Sequence, residues 1–205
     1  MTDVGFIGLG IMGTPMAANL LAAGHKLFLN TRREVPQSLI DQGGIACKSA
    51  KDVAQKAEII ITMVPDTPQV ETVLFGAEGV AAGLTKGKVV VDMSSISPVE
   101  TKEFAKRINA LGCDYLDAPV SGGEVGAKAA SLTIMIGGPE SAFERVKPLF
   151  EKMGKNLTLV GGNGDGQTTK VANQIIVRAD HRGGSARRWS SPPRPAPIRP
   201  RCARR

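Results

Sequence analysis

The sequence predicts a doubly wound α/β fold: a mostly parallel sheet with helices on both faces. Three observations predict it. Short apolar runs alternate with helix-length stretches over the first 177 residues, the pattern of βαβ units. The runs are almost continuously apolar, as strands covered on both faces are. The first run ends in Gly-x-Gly-x-x-Gly, on Gly8, Gly10 and Gly13, and that turn between strand and helix marks the Rossmann type of this fold.

The elements follow in order. Val4–Ile7 reads as a short buried strand, and Met12–Ala23 as the helix behind it. Lys26–Asn30 is a second strand, and Val35–Gln42 a helix closed by Gly43. Glu58–Met63, rich in isoleucine, is a strand halted before Pro65. Thr67–Phe75 is a helix stopped by Gly76. Lys88–Asp92 is a strand; Pro98–Leu111 is a helix with proline in its first turn and Gly112 after its end, the usual placement of both residues. Asp114–Asp117 is a strand. Leu132–Ile136 alternates between glycines and is expected to run antiparallel at one side of the sheet. Pro139–Met153 is a helix, Leu157–Val160 the last strand, and Thr168–Val177 begins another helix.

Charge divides the chain. Residues 178–205 hold nine arginines, no lysine and one carboxylate, Asp180. The first 177 residues carry 17 Lys+Arg against 18 Asp+Glu. The basic pI therefore says nothing about the body, and a nucleic-acid role would belong to the tail alone. That tail has five prolines and no apolar periodicity, the composition of a disordered basic extension. The expected division is a dinucleotide-binding domain over 1–163, the start of a further helix over 164–177, and the tail over 178–205.

Cys47, Cys113 and Cys202 are far apart and form no CxxC or Cys/His cluster. No metal site is expected, nor a disulfide framework. With no apolar run of membrane length and no basic leader, the expected compartment is the cytoplasm, with no membrane partner.

The turn Gly8-Leu9-Gly10-Ile11-Met12-Gly13 offers backbone N–H groups and a helix N-terminus to a pyrophosphate. The end of the second strand selects the cofactor. An NAD site usually places Asp or Glu there, on the ribose hydroxyls. This chain has Asn30, Thr31, Arg32 and Arg33, so a guanidinium replaces the carboxylate and NADP is favoured over NAD. Two further segments end parallel strands, where ligands bind in such sheets. They are Met63-Val64-Pro65, expected to cover the adenosine or nicotinamide side, and Ser94-Ser95, expected to hydrogen-bond ribose or carboxamide. Ser94 and Ser95 also suit the capping of the next helix.

Three more segments, Asp117-Ala118-Pro119-Val120-Ser121-Gly122-Gly123, Gly162-Asn163-Gly164-Asp165-Gly166 and Lys170-Val171-Ala172-Asn173-Gln174, complete a set of four ordered motifs. Together they resemble the β-hydroxyacid dehydrogenases over roughly residues 3–177. Val64–Val70 and Val160–Val177 look closest to the branch that reduces tartronate semialdehyde (2-hydroxy-3-oxopropionate). The resemblance implies Lys170 as general acid toward the carbonyl oxygen, with Asn173 one turn on to orient lysine or substrate. It implies Ser121, Gly122 and Gly123 as the cradle of the substrate carboxylate. It implies a small 3-oxo or 3-hydroxy acid as substrate, with 3-hydroxyisobutyrate as the alternative.

The resemblance stops near Val177. The family continues with an apolar helix into an all-helical domain that closes the site and forms the homo-oligomer. Here Arg178-Ala179-Asp180-His181-Arg182-Gly183 follows. Suitable codons for Asp180–Gly184 and for Trp189–Arg204, read in neighbouring frames, spell stretches like the family's next helices. The tail thus reads as a frame-shifted end, which the gene's nucleotide sequence would decide. The 205-residue chain is then expected to bind dinucleotide and to reduce substrate poorly or not at all. The competing readings are a non-catalytic dinucleotide-binding module and an Arg-rich nucleic-acid binder acting through the tail.

Overall fold

The computed structural model describes residues 2–189, and the side-chain surroundings of residues 2–177. The chain opens with strand β1 (Asp3–Ile7), helix α1 (Gly13–Ala22) and strand β2 (Lys26–Asn30). Helix α2 (Gln37–Asp41), the two-residue strand β3 (Ile45–Ala46) and helix α3 (Ala50–Lys56) lead to β4 (Ile59–Thr62). Helix α4 (Thr67–Phe75) and a 3-10 turn (Val80–Gly83) precede β5 (Val89–Asp92), α5 (Pro98–Asn109) and β6 (Asp114–Asp117). Then come β7 (Val120–Ser121), α6 (Gly123–Lys128), β8 (Leu132–Gly137), α7 (Glu140–Phe150), β9 (Gly154–Gly161) and α8 (Asp165–Trp189).

The expected doubly wound sheet is present. Its order is β3-β2-β1-β4-β5-β6-β8-β7, with β9 beside β8. From β3 to β6 every pairing is parallel. Strand β8 runs antiparallel to β6 and β7 and parallel to β9, which bears out the expected reversal at one side. Alternate side chains of each strand leave by opposite faces. Val4, Phe6, Ile59, Ile61, Val89 and Val91 pack with Met16 and Leu20 of α1 on one face. Ile7, Ile60 and Val90 pack with Val53 of α3 and Phe104 and Ile108 of α5 on the other. Fully burying one such side chain contributes about 1.5–3 kcal/mol, so the uninterrupted apolar runs are what commit the strands to the middle layer.

Five short elements fall outside the apolar pattern: β3, α3, the 3-10 turn, β7 and α6. Strands β3 and β7 have two residues each, too few to show a period. Helix α3 does carry a local signal, because the Ser49 hydroxyl accepts from the Asp52 N–H at 3.2 Å, an N-cap spaced as such caps are.

The structure divides into two compact units, Met1–Val171 and Ala172–Arg205. The start of α8 thus belongs with the first unit. The helix begins at Asp165, earlier than the expected Thr168, because buried acceptors await its first N–H groups. In the second unit α8 continues to Trp189. No proline occurs between Val177 and Pro192, so nothing in the backbone forbids the helix. Residues 190–205, with most of the arginine- and proline-rich tail, lie outside the described residues. So do the side chains of 178–189. Ile175, Ile176 and Val177 are exposed, and Asn173 donates to the Gln174 side chain at 3.3 Å.

Candidate dinucleotide and lysine site

The carboxyl ends of the central strands are held level by backbone bonds that continue each ladder one residue further. Gly8 N–H donates to the Asn30 carbonyl at 2.9 Å, and Met63 N–H to that of Ile7 at 2.9 Å. Met93 N–H donates to Thr62 at 2.9 Å and Ala118 N–H to Asp92 at 2.7 Å. The chain reverses between β1 and β4, where open α/β sheets leave a crevice for a ligand.

The glycine turn crosses this crevice, and its three glycines answer to different neighbours. Gly8 has φ +98°, and a Cβ there would overlap the Met63 carbonyl oxygen. A Cβ on Gly13 would overlap the carbonyl oxygen of Gly8. Both are demanded by the protein itself. Gly10 is not: nothing lies within 4 Å of the place its Cβ would take. It faces open space, as a residue reserved for a ligand's close approach does. No side chain caps α1, whose N-cap is Met12; Thr14 N–H is taken by the Gly10 carbonyl at 3.0 Å, and a helix N-terminus without a side-chain cap suits an anion. Ile11 is 69% exposed at the rim. Leu9 is buried, its carbonyl accepting from the Thr14 hydroxyl at 2.9 Å. A pyrophosphate fits this turn.

The neighbouring candidates separate by burial. Arg32 is exposed and Thr31 half-buried at the end of β2. The Asn30 side chain donates to the Cys47 carbonyl at 3.0 Å, so it braces β2 against the following segment. Met63 and Val64 are half-buried and Pro65 exposed. Ser94 is buried, and its hydroxyl accepts from Val64 N–H at 3.0 Å. It ties the two strand-end loops together, leaving Ser95 as the serine open to a ligand.

Beneath these loops sit two buried carboxylates. Asp92 accepts from the Thr62 hydroxyl at 2.8 Å and Ser94 N–H at 3.1 Å, with the Tyr115 hydroxyl at 3.4 Å. Asp117 accepts from Gly164 N–H at 2.7 Å and Gln167 N–H at 2.9 Å. Burial pushes each up to about 6, against the hydrogen bonds that pull it down. Asp117 was visible in sequence as part of a motif, but Asp92 and Gln167 were not singled out. The signal was an ionisable residue closing an apolar strand, as in Val89-Val90-Val91-Asp92.

Lys170 lies on α8, 8% exposed. Among the described residues its ammonium makes no hydrogen bond or ion pair, and burial lowers its pKa. Asn173 belongs to the second unit. Ser121 is half-buried on β7, and Gly122 and Gly123 are exposed, with φ of +131° and +60°. Gly123 has nothing within 4 Å of its would-be Cβ. Among the described residues no group of His, Cys, Asp or Glu is placed to hold a metal. Nor is any helix among them long and apolar enough to cross a membrane.

Comparison with known proteins agrees with this geometry. The chain is 63% identical over 174 residues to 2-hydroxy-3-oxopropionate reductase of Escherichia coli, covering 85% of this chain and 60% of that protein. The solved 3-hydroxyisobutyrate dehydrogenase of Mycobacterium tuberculosis, with L-serine, superposes with a TM-score of 0.81 at 35% identity, over 86% of this chain and 60% of that one. The structure of Psf3 with NADP+ and 2-OPP superposes at 0.80, with 31% identity over 84% and 62% of the two chains. The chain thus spans about 60% of the length of these relatives. These matches bear out the resemblance to the β-hydroxyacid dehydrogenases. The profile of the NAD binding domain of 6-phosphogluconate dehydrogenase matches residues 3–162, and with the Rossmann strand order and the glycine turn already described, the chain belongs to that family of NAD-binding domains.

Proposed function

We propose that this chain carries the cofactor half and the catalytic lysine of an NADP(H)-preferring reductase that converts tartronate semialdehyde to D-glycerate. The observation that carries the reading is Lys170: a residue 8% exposed, whose ammonium makes no hydrogen bond or ion pair among the described residues and whose pKa burial lowers, on a helix anchored to the strand-end loops. A reduced dinucleotide, its pyrophosphate held at the glycine turn, would supply the hydride. The Gly8–Gly13 turn and the α1 N-terminus hold the pyrophosphate, and Met63, Val64 and Ser95 border the nicotinamide end. Ser121, Gly122 and Gly123 hold the substrate carboxylate with a hydroxyl and unobstructed N–H groups. Lys170 delivers its proton to the aldehyde oxygen, and its charge stabilises the developing alkoxide. A pKa below the ordinary lysine range makes that proton easier to give.

The decisive test is NADPH oxidation with tartronate semialdehyde, by this chain and by Lys170→Ala. The turnover of this chain is expected to be low, and loss of a positioned general acid is expected to lower what there is by roughly 10²–10⁴-fold, with NADPH affinity unchanged. A Lys170→Ala protein as active as its parent would sink the assignment. NADPH binding without any turnover would favour the other reading, a dinucleotide-binding module. The likeness to the 3-hydroxyisobutyrate dehydrogenase structure makes 3-hydroxyisobutyrate the second substrate to try.

Cofactor preference is assigned to exposed Arg32, with no carboxylate from Asn30 to Arg33 to repel a 2′-phosphate. A charge-assisted pair of this kind contributes about 1.5–3 kcal/mol. Arg32→Ala is therefore expected to weaken NADPH binding by roughly 10- to 100-fold and to leave NADH binding nearly unchanged. Fluorescence titration with both cofactors measures it, and equal losses for the two would remove the assignment. The two described cysteines, Cys47 and Cys113, are free and buried, in keeping with a reducing, cytoplasmic setting. The assembly proposed for the whole enzyme is a homo-oligomer, and neither membrane nor nucleic acid is a proposed partner.

A further inference from the structure

Gln167 is a buried polar residue that the mechanism above does not use. It is 1% exposed, and its backbone N–H, amide nitrogen and amide oxygen are each engaged. Its backbone N–H donates to the Asp117 carboxylate at 2.9 Å. Its side-chain amide donates to the Ser94 carbonyl at 2.7 Å, and the amide oxygen accepts from Ile96 N–H at 3.1 Å. The amide thus reads both faces of a single backbone loop after β5, a pattern that fixes register as well as distance. Asp117, at the end of β6, takes two of the N–H groups at the start of α8, those of Gly164 and Gln167. The contact leaves no room for a side chain beside it, since a Cβ on Gly166 would stand 2.8 Å from an Asp117 carboxylate oxygen.

The loop that Gln167 grips is itself tied to the β4 end, through the Ser94 hydroxyl and Val64 N–H. Lys170 follows Gln167 by three residues on α8, so the two share a helix face. Buried amides satisfied at both ends are costly to disturb, because each orphaned partner forfeits its hydrogen bond away from water.

We propose that Asp117 and Gln167 form a positioning pair that sets the first turns of α8, and with them Lys170, in register with the Ser94–Ile96 loop at the nicotinamide end of the site. The proposal rests on the functional reading above for the meaning of that register, but not for its test. Neither residue touches the reacting atoms. Asp117 fixes where the helix starts, and Gln167 fixes its rotation and its distance from the loop.

The test is the titration of Lys170 itself, read by pH-dependent amine labelling with mass spectrometry on the whole chain. Gln167→Met keeps the length of the side chain and removes both of its hydrogen bonds. Asp117→Asn removes one acceptor from the helix start. In each folded variant Lys170 is expected to gain water, and its midpoint to rise toward the ordinary lysine value, because burial is what lowers it. Amide exchange at Ile96 is expected to quicken in Gln167→Met. A folded variant whose Lys170 midpoint stays at the parent value would overturn the proposal. So would loss of the fold in both variants, since the pair would then support the domain as a whole. Lys170→Ala turnover separates the two ideas: an active Lys170→Ala sinks the catalytic reading and leaves the titration result standing.

Discussion

Gly10→Ala is expected to fold as the parent does and to lose dinucleotide affinity by at least about tenfold, because its methyl group occupies the pyrophosphate's line of approach. Gly8→Ala and Gly13→Ala are expected to fail differently. At Gly8 the backbone is left-handed, which costs a residue with a Cβ on the order of 1–3 kcal/mol, and the methyl overlaps the Met63 carbonyl. At Gly13 the methyl overlaps the Gly8 carbonyl, so the turn must open or α1 must move from the sheet. A combined loss of about 3 kcal/mol lowers Tm by roughly 6–12 °C for a chain of this size. Thermal unfolding beside NADPH titration makes the comparison. If Gly10→Ala keeps full affinity, the open space above that residue is not the cofactor's.

Asp92→Asn is the second large effect, and its direction is stabilisation near neutral pH. Asp92 is fully buried, and its folded pKa is raised to about 6 from an ordinary value of 3.8. The folded state therefore holds this proton more tightly than the unfolded chain does. Its contribution is fully present below the unfolded value, near pH 4, and is lost as pH rises through about 6. The loss is at most on the order of 3 kcal/mol at pH 7. Asparagine does not titrate. Its amide oxygen keeps the bonds from Thr62 and Ser94, and its NH₂ donates to the Tyr115 oxygen in place of the bond it received. The stability gap between variant and parent, measured by urea unfolding, is expected to be small near pH 4.5, to open through pH 6 and to level off by pH 8. A gap that does not change with pH would mean that Asp92 is not the titrating group.

Much of this was legible in the amino-acid sequence because it depends on local pattern. The strands Lys26–Asn30 and Asp114–Asp117 and the helix Thr67–Phe75 have the boundaries their residues announce. The glycine turn is recognisable because a tight strand-to-helix reversal around an anion admits few sequences. Arg32 and Lys170 were named from motif and resemblance. Other features were not legible, because they depend on contacts between distant segments. That Gly10 faces space while Gly8 and Gly13 face carbonyls is decided by where β4 lies beside β1. That Ser94 turns inward to Val64 and Ser95 outward is decided by the packing of two loops thirty residues apart. Helix α8 begins at Asp165 because the Asp117 carboxylate, forty-seven residues earlier in the chain, waits for the Gly164 N–H. Sequence by itself determined the layers and the glycine turn, since apolar periodicity and glycine placement act over a few residues; the candidate lysine came from the resemblance alone. Only the tertiary structure decided which polar groups are spent inside the protein and which remain for a ligand, because a hydrogen bond between remote segments leaves no period in the sequence.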